Sequence, residues 1–123
     1  MKRLLALLAL LSCLEVQATT FEMDRTYSLK LFETQKACED AQKNSPRWFN
    51  CSQTITLFKG GQARVMVTDI MNTATYVIVD HQITVTLAGR GDAPKVMRFS
   101  LTRNKRNLVD ENLQVWEWYE SNN

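Results

Sequence analysis

The chain has 123 residues, with 15 Lys+Arg against 13 Asp+Glu and 45% apolar side chains, a size and balance that fit one ordinary domain around one core. So small a net charge argues against nucleic-acid recognition through bulk electrostatics, which needs a basic surface excess. Three cysteines and one histidine at these spacings do not make a zinc set.

Met1-Lys2-Arg3 is followed by an apolar run from Leu4 to Leu14, broken only by Ser12, and then by Glu15 and Val16-Gln17-Ala18. A basic start, a short apolar segment and a small residue at the end form the layout of a secretory signal peptide over residues 1–18. The run covers 11 positions, whereas a spanning helix takes about 20, and it lacks the polar face of a core helix. Val16-x-Ala18 is an acceptable cleavage site. Leu10-Leu11-Ser12-Cys13 offers a second reading, a bacterial lipobox, with Cys13 the candidate for lipidation and the product an outer-membrane-anchored lipoprotein. Either way Cys38 and Cys51 remain, and an even pair in an exported chain reads as a disulfide. It would close a loop of about 14 residues, worth about 3 kcal/mol in the chain-entropy picture.

Residues 19–123 contain no repeat or linker and read as a single domain. Tyr27, Leu29 and Leu31 alternate with polar residues, the period of a half-buried strand. A short helix is expected from Thr34 to about Lys43, with Thr34 as N-cap and Ala37, Cys38 and Ala41 on neighbouring positions. Asn44-Ser45-Pro46 ends it, since proline expels its predecessor from helical geometry. Ile55 and Leu57 lead into Gly60-Gly61, a tight-turn pair, and Ala63, Val65 and Val67 form the return strand. Asn72-Thr73-Ala74-Thr75 reads as a loop, Tyr76 and Ile78 as a strand, and Asp80-His81 as a turn. Ile83, Val85 and Leu87 follow, then a loop from Gly89 to Pro94, then Met97, Phe99 and Leu101. Asn104-Lys105-Arg106-Asn107 turns the chain into a last strand from Leu113 to Tyr119. About seven short strands at spacings near ten residues predict a mainly β fold. The expected form is an antiparallel meander making a small β-barrel or a sandwich, with one short α-helix near the start of the mature chain.

Without Lys2, Arg3 and Glu15 the remainder holds 13 basic and 12 acidic residues, but they are segregated. Residues 90–106 carry six basic side chains against Asp92, and residues 107–123 carry four acidic ones and no basic ones. Pairing of the last strands would bring the two segments face to face.

Three stretches resemble the small barrels of the bacterial envelope, in layout the N-terminal domain of NlpE-type outer-membrane lipoproteins. They are Ile55 to Ala63 (strand, glycine turn, strand), Tyr76 to Val85 (a central hairpin), and Met97-Arg98-Phe99-Ser100-Leu101 through Asn107-Leu108 (a closing pair). Together they cover about half of the chain, and strand-turn patterns are shared among many β proteins. The resemblance implies an envelope location and a barrel fold, with roles in stress signalling or metal tolerance. The family's Cys-x-x-Cys pair is missing, so no redox or metal role is carried over. Periplasmic lysozyme inhibitors also combine a small barrel with a disulfide, but their inhibitory loop is not found.

His81 has no second base or orienting partner in the pattern and suits a turn. Ser28, Ser52 and Ser100 lie in strand patterns without a nucleophile elbow. Glu39-Asp40 read as a solvated helix face and Asp110-Glu111 as a turn. Arg90-Gly91-Asp92 is a three-residue match on a loop, ordinary turn chemistry, and Asn50-Cys51-Ser52 fits the glycosylation pattern on a residue expected in a disulfide. No enzyme, metal or cofactor is expected. Trp116 and Trp118 share one face of the last strand. Facing inward they fill the core, and facing outward they form a binding patch with Leu113 and Val115 inside. The candidate partner-binding residues are therefore Arg103, Lys105, Arg106, Trp116 and Trp118. The expected function is an exported, non-enzymatic binding module of the bacterial envelope that recognises a protein partner, by stress sensing or hydrolase inhibition. The alternatives are a carrier of a small apolar ligand inside the barrel and a structural lipoprotein. Membrane attachment is expected only through a lipid on Cys13.

Overall fold

The computed structural model describes residues 17–67, 70–88 and 95–119. Cys13, most of the expected leader (residues 1–18) and the expected Gly89–Pro94 loop with its Arg90-Gly91-Asp92 lie outside them. The elements run β1 (Arg25–Lys30), α1 (Gln35–Lys43), β2 (Ser52–Leu57), β3 (Gln62–Met66), β4 (Met71–Val79), β5 (Gln82–Leu87), β6 (Lys95–Leu101), β7 (Leu108–Asp110) and β8 (Val115–Tyr119). Each strand pairs antiparallel with the next, and β8 returns to β1 with Tyr27 opposite Trp118, closing an eight-stranded barrel. Of the two architectures the periodicity allowed, the barrel is the one formed.

The alternation seen in the sequence is the wall of this barrel. Tyr27, Leu29, Ile55, Leu57, Val65, Tyr76, Ile83, Val85, Phe99, Leu108 and Trp116 point inward and are buried. Ser28, Lys30, Thr54, Thr56, Arg64, Thr73, Thr75, Thr84, Thr86, Arg98 and Glu117 alternate with them on the outside. An apolar lumen inside a polar wall suits a barrel surrounded by water; a barrel in lipid shows the reverse. Eight strands leave an interior about as wide as side chains can fill, and here rings fill it. Phe99 meets Trp116 edge to face with centroids 5.5 Å apart. The Trp116 indole Nε1 donates to Asp110 Oδ2 at 3.0 Å, so the buried ring keeps its polar handle satisfied.

Two expectations need correction. Asn72-Thr73-Ala74-Thr75 is not a loop but the first half of β4, in register with β3 from Asn72↔Val65 to Thr75↔Gln62. Small and polar side chains hid a strand whose inward position is only Ala74, while the pairing satisfies its backbone. The second is the strand count. β7 is three residues long and adds an eighth strand to the seven expected; with a single inward residue, Leu108, it shows no alternation of its own. Asp110 makes this short strand workable: its Oδ1 accepts from the backbone N–H of Asn112 and Gln114, both at 2.9 Å. The last strand is correspondingly shorter than expected. Leu113 lies in the β7–β8 turn with φ +61° and is 82% exposed.

The expected turns and helix are in place. Gly60 and Gly61 have φ of +91° and +101°, and a Cβ on Gly61 would lie 3.3 Å from the Thr20 methyl, where the N-terminal segment crosses the turn. Asp80 and His81, with φ of +47° and +67°, make the two-residue turn between β4 and β5 that matches strand twist. Thr34 caps α1, its Oγ1 accepting from Ala37 N at 3.1 Å. A nine-residue helix is marginal on its own, and this one buries only Cys38. It is held by the Cys38–Cys51 disulfide, with Cα atoms 5.6 Å apart, and by Gln42 donating to the Phe49 carbonyl. A disulfide of this kind belongs to an oxidising compartment outside the cytoplasm.

Two outcomes follow from this packing. Trp116→Ala should destabilise the barrel by about 3–5 kcal/mol, measured by chemical denaturation. Replacing both Cys38 and Cys51 by Ala should cost about 3 kcal/mol while leaving the far-ultraviolet signature of the sheet in place, since α1 is outside the barrel core.

Candidate functional site

Because strands alternate in direction, the barrel has two ends of different chemistry. At one end lie the N-terminal segment, the β2–β3 and β4–β5 turns, the basic β6–β7 turn and the end of β8. At the other lie the disulfide-tied insertion between β1 and β2, the β3–β4 connection and the β7–β8 turn.

The N-terminal end is closed by a plug. Thr19 bridges Ile78 through paired backbone hydrogen bonds of 2.8 Å, which lays Phe21 over the lumen 6.0 Å from the Tyr76 ring. Phe21 N donates to Tyr76 Oη at 3.1 Å, and that hydroxyl donates to the Phe58 carbonyl at 2.6 Å. Arg25 is clamped between two rings, its guanidinium carbon 4.1 Å from the Phe21 centroid and 4.6 Å from that of Trp118. Its Nη1 donates to Tyr27 Oη and to the Lys105 carbonyl.

The basic turn is well ordered by its own polar groups. Asn104 Oδ1 accepts from Arg106 N, Thr102 Oγ1 accepts from Asn107 N, and Asn107 Oδ1 accepts from Trp118 N. Lys105 sits at φ +58°. Arg103, Lys105 and Arg106 are all exposed, so the sequence-predicted basic surface exists at this end. The tryptophans do not join it. Trp116 is 1% exposed and is corrected from candidate contact to core residue, because Leu108 is its partner across the β7–β8 ladder and both point inward. Trp118 is partly buried and packs against the core beneath Arg25. His81 stands in its turn with Nδ1 3.7 Å from Asp80 Oδ1. Among the described residues no group of three His, Cys, Asp or Glu could hold a metal ion. Among the described residues the segregated charges meet once, at Arg98 and Glu111, 3.6 Å apart on the surface.

The disulfide end carries what the sequence reading missed. Leu31, Phe32, Trp48, Phe49, Val67 and Ile70, with Arg47 and Asn50, line a groove of about 540 Å³. Phe32 stacks on Phe49 at 5.8 Å, while Trp48 and Ile70 are 66% and 64% exposed. Leu31 was expected to point inward, but it lies past the end of β1 and faces solvent at this rim. The available signal was Trp48-Phe49 inside the disulfide loop, two rings outside any alternation. Their partners Leu31, Val67 and Ile70 come from other connections, and only the closed barrel brings them together.

Burial pushes the Tyr27 hydroxyl above its ordinary value of 10.0, with the Arg25 guanidinium opposing the rise. The folded protein therefore keeps a proton that the unfolded chain releases, and stability falls as pH rises past about 10. Melting midpoints should drop in that range, and Tyr27→Phe should flatten the decline. Compared with protein-family models, curated proteins and solved structures, the chain shows no significant match to any.

Proposed function

We propose that this protein is an exported binding module of the bacterial envelope that acts on a protein partner through the ends of its barrel. The observation that carries the reading is the cluster of exposed apolar side chains lining one groove at the disulfide end: Trp48, Ile70 and Leu31. Contiguous exposed apolar surface of this kind marks interaction sites. A tryptophan beside an arginine is the composition from which binding hot spots are built. The Cys38–Cys51 bond fixes the loop that presents them, which lowers the ordering cost of association. The leader and the disulfide both support export, and the basic turn at the far end supplies charge for steering rather than burial.

A carrier role has less support. Trp116, Tyr27, Phe99, Ile55 and Leu57 occupy the lumen that an apolar ligand would need.

Affinity capture from envelope extract, using the protein and two variants, tests the reading. The wild type should retain one protein at stoichiometric level. Trp48→Ala with Ile70→Ala should lose it by at least about tenfold, an effect of the size expected for a hot-spot anchor. Replacing Arg103, Lys105 and Arg106 together by Ala should slow association at low salt with the melting midpoint unchanged. Equal retention by all three proteins would remove both surfaces, and retention of nothing by the wild type would overturn the binding-module reading.

A further inference from the structure

The two cysteines of the bond that holds the Trp48 loop differ in access. Cys38 is 0% exposed. Cys51 is half-buried and lines a second groove, of about 420 Å³, to which Cys38 contributes nothing. Lys30, Phe32, Gln35, Glu117 and Tyr119 line that groove with it. The Gln35 side chain, itself exposed, donates to Cys51 Sγ at 3.9 Å. Thiol–disulfide exchange proceeds by attack of a thiolate on whichever sulfur it can reach, and accessible bonds are the ones that exchange readily.

The insertion between β1 and β2 depends on this bond more than the barrel does. α1 buries no side chain but Cys38, and no strand packs closely against it. Besides the disulfide, the insertion is closed by the Leu31 N–H on the Cys51 carbonyl at 3.1 Å, by Gln42 on the Phe49 carbonyl and by the Phe32–Phe49 stack. A short helix released from its one buried anchor does not persist in water. Phe32 lines both the groove in front of Cys51 and the Trp48 groove, so the two share a wall.

We propose that Cys51 is a thiol-exchange site through which a dithiol opens the Cys38–Cys51 bond and dismantles the Trp48 groove. This is a regulation of the surface read above as partner-binding, and rests on that reading. One thiolate of the dithiol attacks Cys51 Sγ, forming a mixed disulfide there. The Cys38–Cys51 bond breaks, and its electron pair leaves on Cys38 Sγ, which takes a proton from water. The second thiolate then attacks the reductant's own sulfur in the mixed disulfide and releases Cys51, which is protonated in turn. The dithiol ends as its disulfide, two electrons poorer, and the protein gains two electrons and two protons. α1 and the Trp48-Phe49 segment lose their shape, while the eight paired strands keep theirs.

Two measurements on the oxidised protein test this. In the first, a brief exposure to the monothiol 2-mercaptoethanol is stopped with N-ethylmaleimide, and peptide mapping locates the first bond formed. The mixed disulfide should be on Cys51 and the maleimide on Cys38, in excess of the reverse arrangement by about tenfold, because attack follows access. Equal amounts of the two, or an excess of the reverse, would overturn the assignment of Cys51. In the second, dithiothreitol reduces the bond fully while amide and indole resonances are followed. The Trp48 indole and the amides of residues 32–50 should move to unfolded positions, and the Trp116 indole should keep its own. A Trp48 indole unmoved by reduction, or loss of the Trp116 resonance with it, would overturn the gating of the groove. Neither measurement uses a partner, so failure here is distinct from a failure of capture.

Discussion

The structure depends on the pairing of β8 with β1. Among the described residues three pairs make that seam: Thr26 with Tyr119, Tyr27 with Trp118 and Ser28 with Glu117. Opening it would expose two strand edges and uncover Tyr27 and Trp116, the two largest fully buried side chains. The seam also sets orientation. With Tyr27 facing the lumen, its partner Trp118 must face the lumen, and Trp116, two residues away, must do the same. Once β8 is fixed in this way, Val115 and Glu117 are on the outer wall and the indoles serve the core.

A barrel that fills its own lumen leaves the ends as the places where chemistry can differ. At the N-terminal end, the segment from Thr19 to Asp24 is laid across the opening by the bridge to Ile78, the Phe21 N–H on Tyr76 Oη and the Lys59 N–H on Asp24 Oδ1, and Phe21, Tyr76 and Arg25 form the plug. The same arrangement stacks the partly buried Arg25 guanidinium between Phe21 and Trp118. At the other end, the insertion between β1 and β2 adds little buried surface of its own, and the disulfide takes over the work that packing does elsewhere. Its rings can therefore stay at the surface without the loop losing its shape.

Much of the fold was legible because alternation and turn chemistry are local. The Thr34 cap, the glycine pair at Gly60-Gly61 and the Asp80-His81 turn each follow from a few adjacent residues, and so does the register of β5 and β6. The Cys38–Cys51 bond was legible as well, because the leader expected over residues 1–18 implied export and left one pair of cysteines outside it. The β7 strand and the first half of β4 were not. One has a single inward residue and the other has alanine there, so neither carries a hydrophobic period to detect. The basic turn was legible because its three charges fall within four residues, Arg103 to Arg106.

The sequence by itself determined that inward and outward side chains alternate, that the chain reverses at defined points and that two cysteines stay together. Tertiary structure alone decided which face of the last strand is inward, since a period of two leaves that sign open until a neighbouring strand fixes it. It alone also brought Leu31, Trp48 and Ile70 to one rim, and set Arg25 between Phe21 and Trp118 beneath the Lys105 carbonyl. Those groups are separated along the chain by up to 97 positions, and only closure of the barrel makes them neighbours.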